Sequence, residues 1–200
     1  MNTPMTPLFD FTMQPGDVVV FQHMTDLGKL IQKVTGSDFS HASFALAEDE
    51  FIEAADLSGV RRVPLATYVT DPTYLRIQVR RAPGLDVQAA VAEVLTLNGD
   101  PYGTMDLLRI YAYEHFHIQT LDQARLESKR NIICSQLVAL GLYAGGVDVR
   151  PQFNLHTFGL VTPAMVAVSS VLQTVYDLQR GNVHESFKMV LSAPDPPGDH

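Results

Sequence analysis

The segment Asn131–Gly146, NIICSQLVALGLYAGG, constrains the fold most, because it is almost wholly apolar and ends in two glycines. This composition predicts a largely buried helix, with Ser128 or Asn131 capping its start and Gly145-Gly146 ending it in a left-handed turn. The segment contains Cys134, the only cysteine of the 200 residues. A thiol in a first helical turn lies near unpaired N–H groups and the positive end of the helix dipole, which favour thiolate. The sequence therefore predicts either a nucleophile or an inert core cysteine at this position.

Composition limits the partners that this chain can have. A hydrophobic content of 46% suits one compact domain, and a net charge of −8 argues against nucleic acid or an anionic membrane surface as the main partner. The sequence shows neither a basic n-region followed by an apolar run nor about 18 consecutive apolar residues, so we expect no signal peptide and no membrane span. With one cysteine and no such signal, the default expectation is a cytoplasmic protein, with export by a non-standard route as the alternative.

Hydrophobic periodicity predicts an α+β fold in which an antiparallel sheet packs against helices. Three short segments joined by tight turns favour a meander of strands. Residues 1–14 are expected to be a loose arm, residues 15–192 a single domain and residues 193–200 a disordered tail. The predicted strands are Asp17–Gln22, Phe39–Leu46, Phe51–Ala55, Val60–Val63, Thr73–Arg80, Ser170–Leu178 and Phe187–Leu191, and Thr73–Arg80 is expected to have one wet face. The predicted helices are Asp26–Thr35, a turn at Pro64–Thr70, Asp86–Asn98, residues 104–114, the Cys134 segment and a short helix from Thr162-Pro163.

A nucleophilic cysteine needs a base, which is usually a histidine held by a third polar group. Among the seven histidines, His41 stands out because it lies at the start of a strand that is otherwise suited to burial. A satisfied core histidine is the alternative. The other histidines are expected in loops, on exposed faces or in the tail; they are His23, His115, His117, His156, His184 and His200.

Glu53 is a carboxylate inside the apolar strand FIEAA. If a hairpin closes at Glu48–Glu50, His41 and Glu53 fall near opposite positions of neighbouring strands, where Cβ atoms are about 5 Å apart. Glu53 is then either the group that orients the imidazole or an exposed surface carboxylate. Glu114, His115 and His117 indicate a metal site only weakly, because two histidines one residue apart on a helix diverge, and we predict no metal and no other cofactor.

Several segments taken together resemble a known family. GDVVVFQ, DLGKLIQKVTG, SHASFAL, FIEAA and ICSQLVALGLYAGG, in this order, are similar to the circularly permuted branch of the NlpC-type papain-like cysteine hydrolases, the YiiX/YebB-like group. In that branch the histidine strand precedes the cysteine helix. The resemblance runs from about Pro15 to about Pro163.

The resemblance implies a papain-like fold with permuted topology and a role for each matching residue. It implies that Cys134 is the nucleophile, His41 the general base and Glu53 the residue that orients the base. Tyr102 in Gly99–Tyr102 matches a tyrosine that lines the active site, and Ser135 follows the cysteine in the matching helix. Relatives, including enzymes like lecithin:retinol acyltransferase, often have histidine at the third position, so glutamate there is a departure.

The implied activity is cleavage of an amide or ester bond through an acyl-enzyme. A cell-wall peptide is the first expectation for the substrate, as for an amidase or endopeptidase of peptidoglycan-derived peptides. A thioesterase or acyltransferase acting on acyl lipids is the alternative, as is a binding module without turnover. Phe153 and Phe158 either form an apolar wall of the substrate cleft or belong to the core. The sequence leaves the oligomeric state open.

Overall fold

The computed structural model describes residues 11–103 and 132–180. Its strands are β1 (Val18–His23), β2 (His41–Ala45), β3 (Glu50–Ala55), β4 (Gly59–Pro64), β5 (Tyr74–Arg81) and β6 (Gln173–Gln179). Its α-helices are α1 (Asp26–Thr35), α2 (Ala66–Thr70), α3 (Val87–Thr96), α4 (Cys134–Ala144) and α5 (Pro163–Val168), with 3-10 turns at Arg150–Phe153 and Phe158–Leu160. The predicted α+β class is confirmed. The helix expected at 104–114 and the strand expected at Phe187–Leu191 lie outside the described residues.

The strands form one antiparallel sheet in the order β4-β3-β2-β1-β5-β6. The predicted meander occupies one half of it, because β2, β3 and β4 pair consecutively through short turns. β1 lies between β2 and β5, so the first strand of the chain is at the centre of the sheet. This central position explains why Val18, Val19 and Val20 are all buried, since both faces of β1 are covered.

Each face of the sheet has its own apolar cluster. One face packs against α3, α4 and α5 and includes Phe44, Ile52 and Leu137. The other face is covered by α2 and by the segment before β1, and it includes Phe21, Phe51 and Tyr68. Side chains alternate along a strand, so successive residues of β2 and β3 contribute to opposite clusters. His41 and Glu53 therefore share the face that contains Phe51.

The α4 helix is buried along most of its length, as its composition predicts. Gly141 allows close packing on α3, because a Cβ at this position would lie 2.5 Å from a Val94 methyl. The helix ends at Gly145, and Gly146 has a φ of 89°. Ile133 occupies the cap position, where no side chain accepts an N–H, and the predicted caps Ser128 and Asn131 lie outside the described residues.

Two further expectations differ from the structure. Within residues 11–14, expected to be part of a loose arm, Met13 is buried in the second cluster and the Phe11 ring stacks on Tyr176 at 5.0 Å. On β5, Gln78 and Arg80 were expected on a wet face but are buried. Arg80 donates hydrogen bonds to the carbonyls of Ser169 and Leu172, which come from the segment that leads into β6.

In the part of the chain that the structure describes, no helix is both long and apolar enough to cross a membrane.

Candidate active site

The register of two neighbouring strands brings His41 and Glu53 together. Ser43 on β2 pairs with Glu53 on β3, so His41 is the diagonal neighbour of Glu53 on the same face. Nε2 of His41 lies 2.8 Å from Oε2 of Glu53, and both side chains are buried. The hairpin thus produces the contact that the sequence pattern predicts, although His41 lies two residues along β2 from Ser43, the residue directly opposite Glu53.

Glu53 is held entirely by hydrogen-bond donors. Its Oε2 accepts from His41 and from the Tyr68 hydroxyl at 2.7 Å, while its Oε1 accepts from Nε and Nη2 of Arg61 at 3.1 and 2.9 Å. Burial raises the pKa of Glu53, but the hydrogen bond and charge of His41 and the hydrogen bonds from Tyr68 and Arg61 lower it to about 2. Glu53 is therefore ionised although it is only 1% exposed.

Two further residues of the site, Arg61 and Tyr68, are not predicted from the sequence. Arg61 is on β4, where it pairs directly with Glu53 in the register, and Tyr68 is on α2. The alternation of β4 could have indicated Arg61, because a buried carboxylate needs a positively charged partner and a directly opposite residue on the next strand is close enough to be one. No local pattern marks Tyr68, whose approach depends on how α2 lies over the sheet.

Cys134 opens α4 and is 3% exposed. Its side chain is a neighbour of His41: burial lowers the pKa of His41, but hydrogen bonding to Cys134 and Glu53, together with their charges, outweighs burial and raises the pKa to about 10. Since Nε2 of His41 contacts Glu53, the other ring nitrogen is left for the thiol. A thiol, an imidazole and a carboxylate thus lie next to one another in the order Cys134, His41, Glu53, and in such an arrangement an imidazole held by a carboxylate can take up a thiol proton.

A cleft of about 420 Å³ opens beside His41. Its walls include His23, Arg61, Tyr74 and Tyr102, in addition to His41 and Glu53. Polar and aromatic groups thus line the cleft together with the apolar side chains of Leu27 and Ile31. Such a surface can orient a polar substrate by hydrogen bonds and by stacking.

Tyr102 is placed at the start of α4 by backbone pairing. It forms a parallel bridge with Ile132, in which Ile132 N–H donates to the Pro101 carbonyl at 3.0 Å and Gly103 N–H donates to the Ile132 carbonyl at 3.1 Å. Burial and the charge of Cys134 raise the pKa of Tyr102 above its usual range. The phenol therefore stays protonated near the thiol, and Tyr102 lines the cleft beside His41.

The other residues named for substrate binding lie elsewhere. Ser135 is fully buried and donates a 2.6 Å hydrogen bond to the Val161 carbonyl, so it fastens α4 to the segment before α5. Phe153 and Phe158 are partly buried against the first apolar cluster and do not line the cleft beside His41. The guanidinium of Arg150 lies 3.8 Å from the Phe158 ring centroid, so this ring packs against a cation.

Residues 11–103 and 132–180 contain no group of three or more His, Cys, Asp and Glu side chains that could hold a metal ion. The weak candidates His115 and His117 lie outside the described residues.

If Cys134 raises the pKa of His41, removing the thiol must lower that pKa. We expect Cys134→Ala to shift the His41 titration towards its ordinary value of 6.5, because burial and Glu53 remain while the interaction with the sulfur is lost. NMR titration of histidine rings measures this, with the His41 signal assigned from a His41→Gln spectrum. An unchanged midpoint would show that the thiol and the imidazole do not interact.

No family model and no curated protein matches this sequence. Among solved structures, the crystal structure of the metalloprotein YiiX from Escherichia coli O157:H7 is similar, with a TM-score of 0.57 and 18% sequence identity. The match covers 84% of this chain and 99% of the YiiX chain. At this identity the likeness concerns the fold alone. The chain therefore has a YiiX-like α+β fold, in which a six-stranded antiparallel sheet carries His41 and Glu53 beside the start of the Cys134 helix.

Proposed function

We propose that this protein is a cysteine hydrolase of permuted papain-like topology, which cleaves an amide bond of a small peptide through an acyl-enzyme on Cys134. One observation carries the proposal: the only cysteine of the chain opens a buried helix next to an imidazole whose other nitrogen contacts a buried carboxylate. Three residues from separate elements converge there, although each has an ordinary structural explanation when taken alone.

In the proposed reaction, the Cys134 thiolate attacks the carbonyl carbon and His41 gives its proton to the leaving amine. Water then attacks the thioester, His41 takes a proton from that water, and the thiolate leaves. Glu53 keeps the imidazole in one orientation and stabilises its positive charge throughout. The raised pKa of His41 fits a resting state in which the ring carries the proton that the leaving group needs.

The negative charge that develops on the carbonyl oxygen needs hydrogen-bond donors. The backbone N–H of Cys134, in the first turn of α4, is one such donor. The Ile133 side chain at the cap position accepts no hydrogen bond, so it does not compete for the N–H groups at this end of the helix. The Tyr102 hydroxyl is the second donor in this proposal, because it remains protonated and lies close enough to Cys134 for the charge of the sulfur to raise its pKa.

The cleft favours a peptide over an acyl lipid. Its walls combine polar and aromatic groups such as Arg61 with the short apolar stretch of Leu27 and Ile31. The two phenylalanines that would have walled an acyl-chain site, Phe153 and Phe158, pack against the core instead. A peptide offers the hydrogen-bonding groups that such a wall can satisfy. Peptidoglycan-derived peptides are the substrate class implied by the resemblance, and they fit this chemistry.

The test of the nucleophile is alkylation by iodoacetamide followed by mass spectrometry, which is unambiguous because the chain has one cysteine. We expect Cys134 in the folded protein to react at least about tenfold faster than the urea-unfolded chain at pH 6, since the His41 charge and the helix start favour thiolate. Because the pKa of His41 is about 10, the ring stays charged from about pH 6 to 8, and the advantage of the folded protein over the unfolded chain should be largest at pH 6, where a free thiol is least ionised.

A folded protein that reacts more slowly than the unfolded chain would identify Cys134 as an inert core cysteine and would end the proposal. A rate that rises about tenfold per pH unit across the same range would exclude the pairing with His41. The matched control is His41→Gln, in which the fast reaction at pH 6 is expected to disappear.

A further inference from the structure

His23, a histidine expected from the sequence to be ordinary, lies in the cleft beside His41. A bulge places it there: Gln22 pairs with Arg76 but His23 pairs with Tyr74, so the register shifts by one residue at the end of β1. Bulges commonly redirect a side chain next to a functional site. The His23 ring stacks on Tyr74 with the centroids 4.0 Å apart and the planes 2° from parallel.

The backbone of His23 is also fixed. Its N–H donates to the Ser40 hydroxyl at 3.1 Å, and its carbonyl accepts from the same hydroxyl and from the Gln32 amide at 3.2 Å. The start of α1 packs on this carbonyl so closely that a Cβ at Gly28 would lie 1.9 Å from it. Ser40 precedes His41 in the chain, so one hydroxyl ties the positions of the two histidines together.

The imidazole of His23, unlike its backbone, makes no hydrogen bond to any residue among 11–103 and 132–180. Its ring centroid is 6.1 Å from that of His41. Burial, and then the charge of His41, lower the pKa of His23 to about 4. A neutral imidazole has one donor and one acceptor nitrogen, and here both polar functions are left for a molecule in the cleft.

We propose that His23 is a substrate-contacting residue, whose imidazole hydrogen-bonds a polar group of the substrate, such as an amide, beside His41. The inference rests on the proposed function, because it concerns a molecule that is attacked by Cys134. It adds a specificity determinant: the part of the substrate that lies over His23 is polar. A hydrocarbon at that place would leave the ring nitrogens unsatisfied.

The test compares two reagents that alkylate Cys134, iodoacetamide with an amide group and allyl bromide without one. The ratio of their rate constants cancels any change in the reactivity of the thiol itself. His23→Phe retains an aromatic ring for stacking on Tyr74 but has no hydrogen-bonding group, whereas His23→Gln keeps an uncharged donor and acceptor. The matched control is His156→Phe, because His156 is an exposed histidine away from the cleft.

We expect His23→Phe to lower the iodoacetamide-to-allyl bromide ratio about five- to tenfold, as for the loss of one hydrogen bond. His23→Gln and His156→Phe should stay within about twofold of the parent. A ratio in His23→Phe that equals the parent's would overturn the inference and leave the proposed function standing. Equal losses in His23→Phe and His23→Gln would also overturn it, since they would indicate ring packing. Slow alkylation of the parent by both reagents would instead refute the proposed function, and the inference with it.

Discussion

Replacing Cys134 by alanine is expected to reduce hydrolysis by more than about a thousandfold, because without a nucleophile only binding and oxyanion stabilisation remain. The chain should stay folded. Alanine is close in size to cysteine, and the position is at the very start of α4, so the loss of unfolding free energy should be about 1 kcal/mol. The measurement is the amine released from a panel of short peptide amides, together with urea unfolding of the same preparation.

Stability and activity must be read together in this experiment. A variant that keeps the urea midpoint of the parent within the expected loss but has no activity supports Cys134 as the nucleophile. A folded variant that still hydrolyses a peptide at the parent's rate would assign the reaction to another group, and the interaction with His41 would then have a structural role only.

Replacing Glu53 by glutamine should lower the hydrolysis rate by roughly one to three powers of ten. Glu53 acts only as an acceptor, towards four N–H or O–H donors. A glutamine amide supplies one oxygen and directs its NH₂ group at donors on the other side, so either Arg61 or the pair His41 and Tyr68 loses its acceptor. The charge that stabilises the imidazolium is lost as well.

The same change should destabilise the fold, since breaking a buried ion pair from one side costs about 3 kcal/mol. Tyr68→Phe is the matched control, because it removes one of the four hydrogen bonds to Glu53 and leaves the carboxylate charge and the His41 contact in place. We expect it to lower the rate less than about tenfold. If Glu53→Gln retained the parent's activity, the carboxylate would be part of the structural support of the sheet and would not orient His41.

Much of the fold follows from local patterns. The helix predicted at Asp26–Thr35 has those bounds in the structure, with Thr25 as its cap and Gly36 in the left-handed conformation at its end. The hairpin of β2 and β3 follows from a polar turn between two apolar segments. Capping, periodicity and turn composition act over a few residues, and the sequence displays them directly.

The three residues of the candidate triad could also be predicted from local patterns. A single cysteine at a helix start, a histidine at a strand start and a glutamate inside an apolar strand are each exceptions to the local pattern, and exceptions mark sites. Strand alternation then placed His41 and Glu53 on one face. The contact of Cys134 with His41 came only from the resemblance, since 93 positions separate the two residues.

The tertiary structure alone decided the rest. The burial of Arg80 depends on carbonyls that a distant segment, around Ser169, brings to β5, and the Gln78 amide donates to the Asp177 carboxylate on β6. The position of His23 in the cleft depends on a one-residue shift in pairing between β1 and β5. A strand's alternation shows which residues share a face, but the polarity of that face is set by what packs on it. Those contacts join residues that are tens of positions apart in the chain. Bringing such residues together costs chain entropy, which only the burial of the whole core offsets. A short window of sequence therefore does not show these contacts.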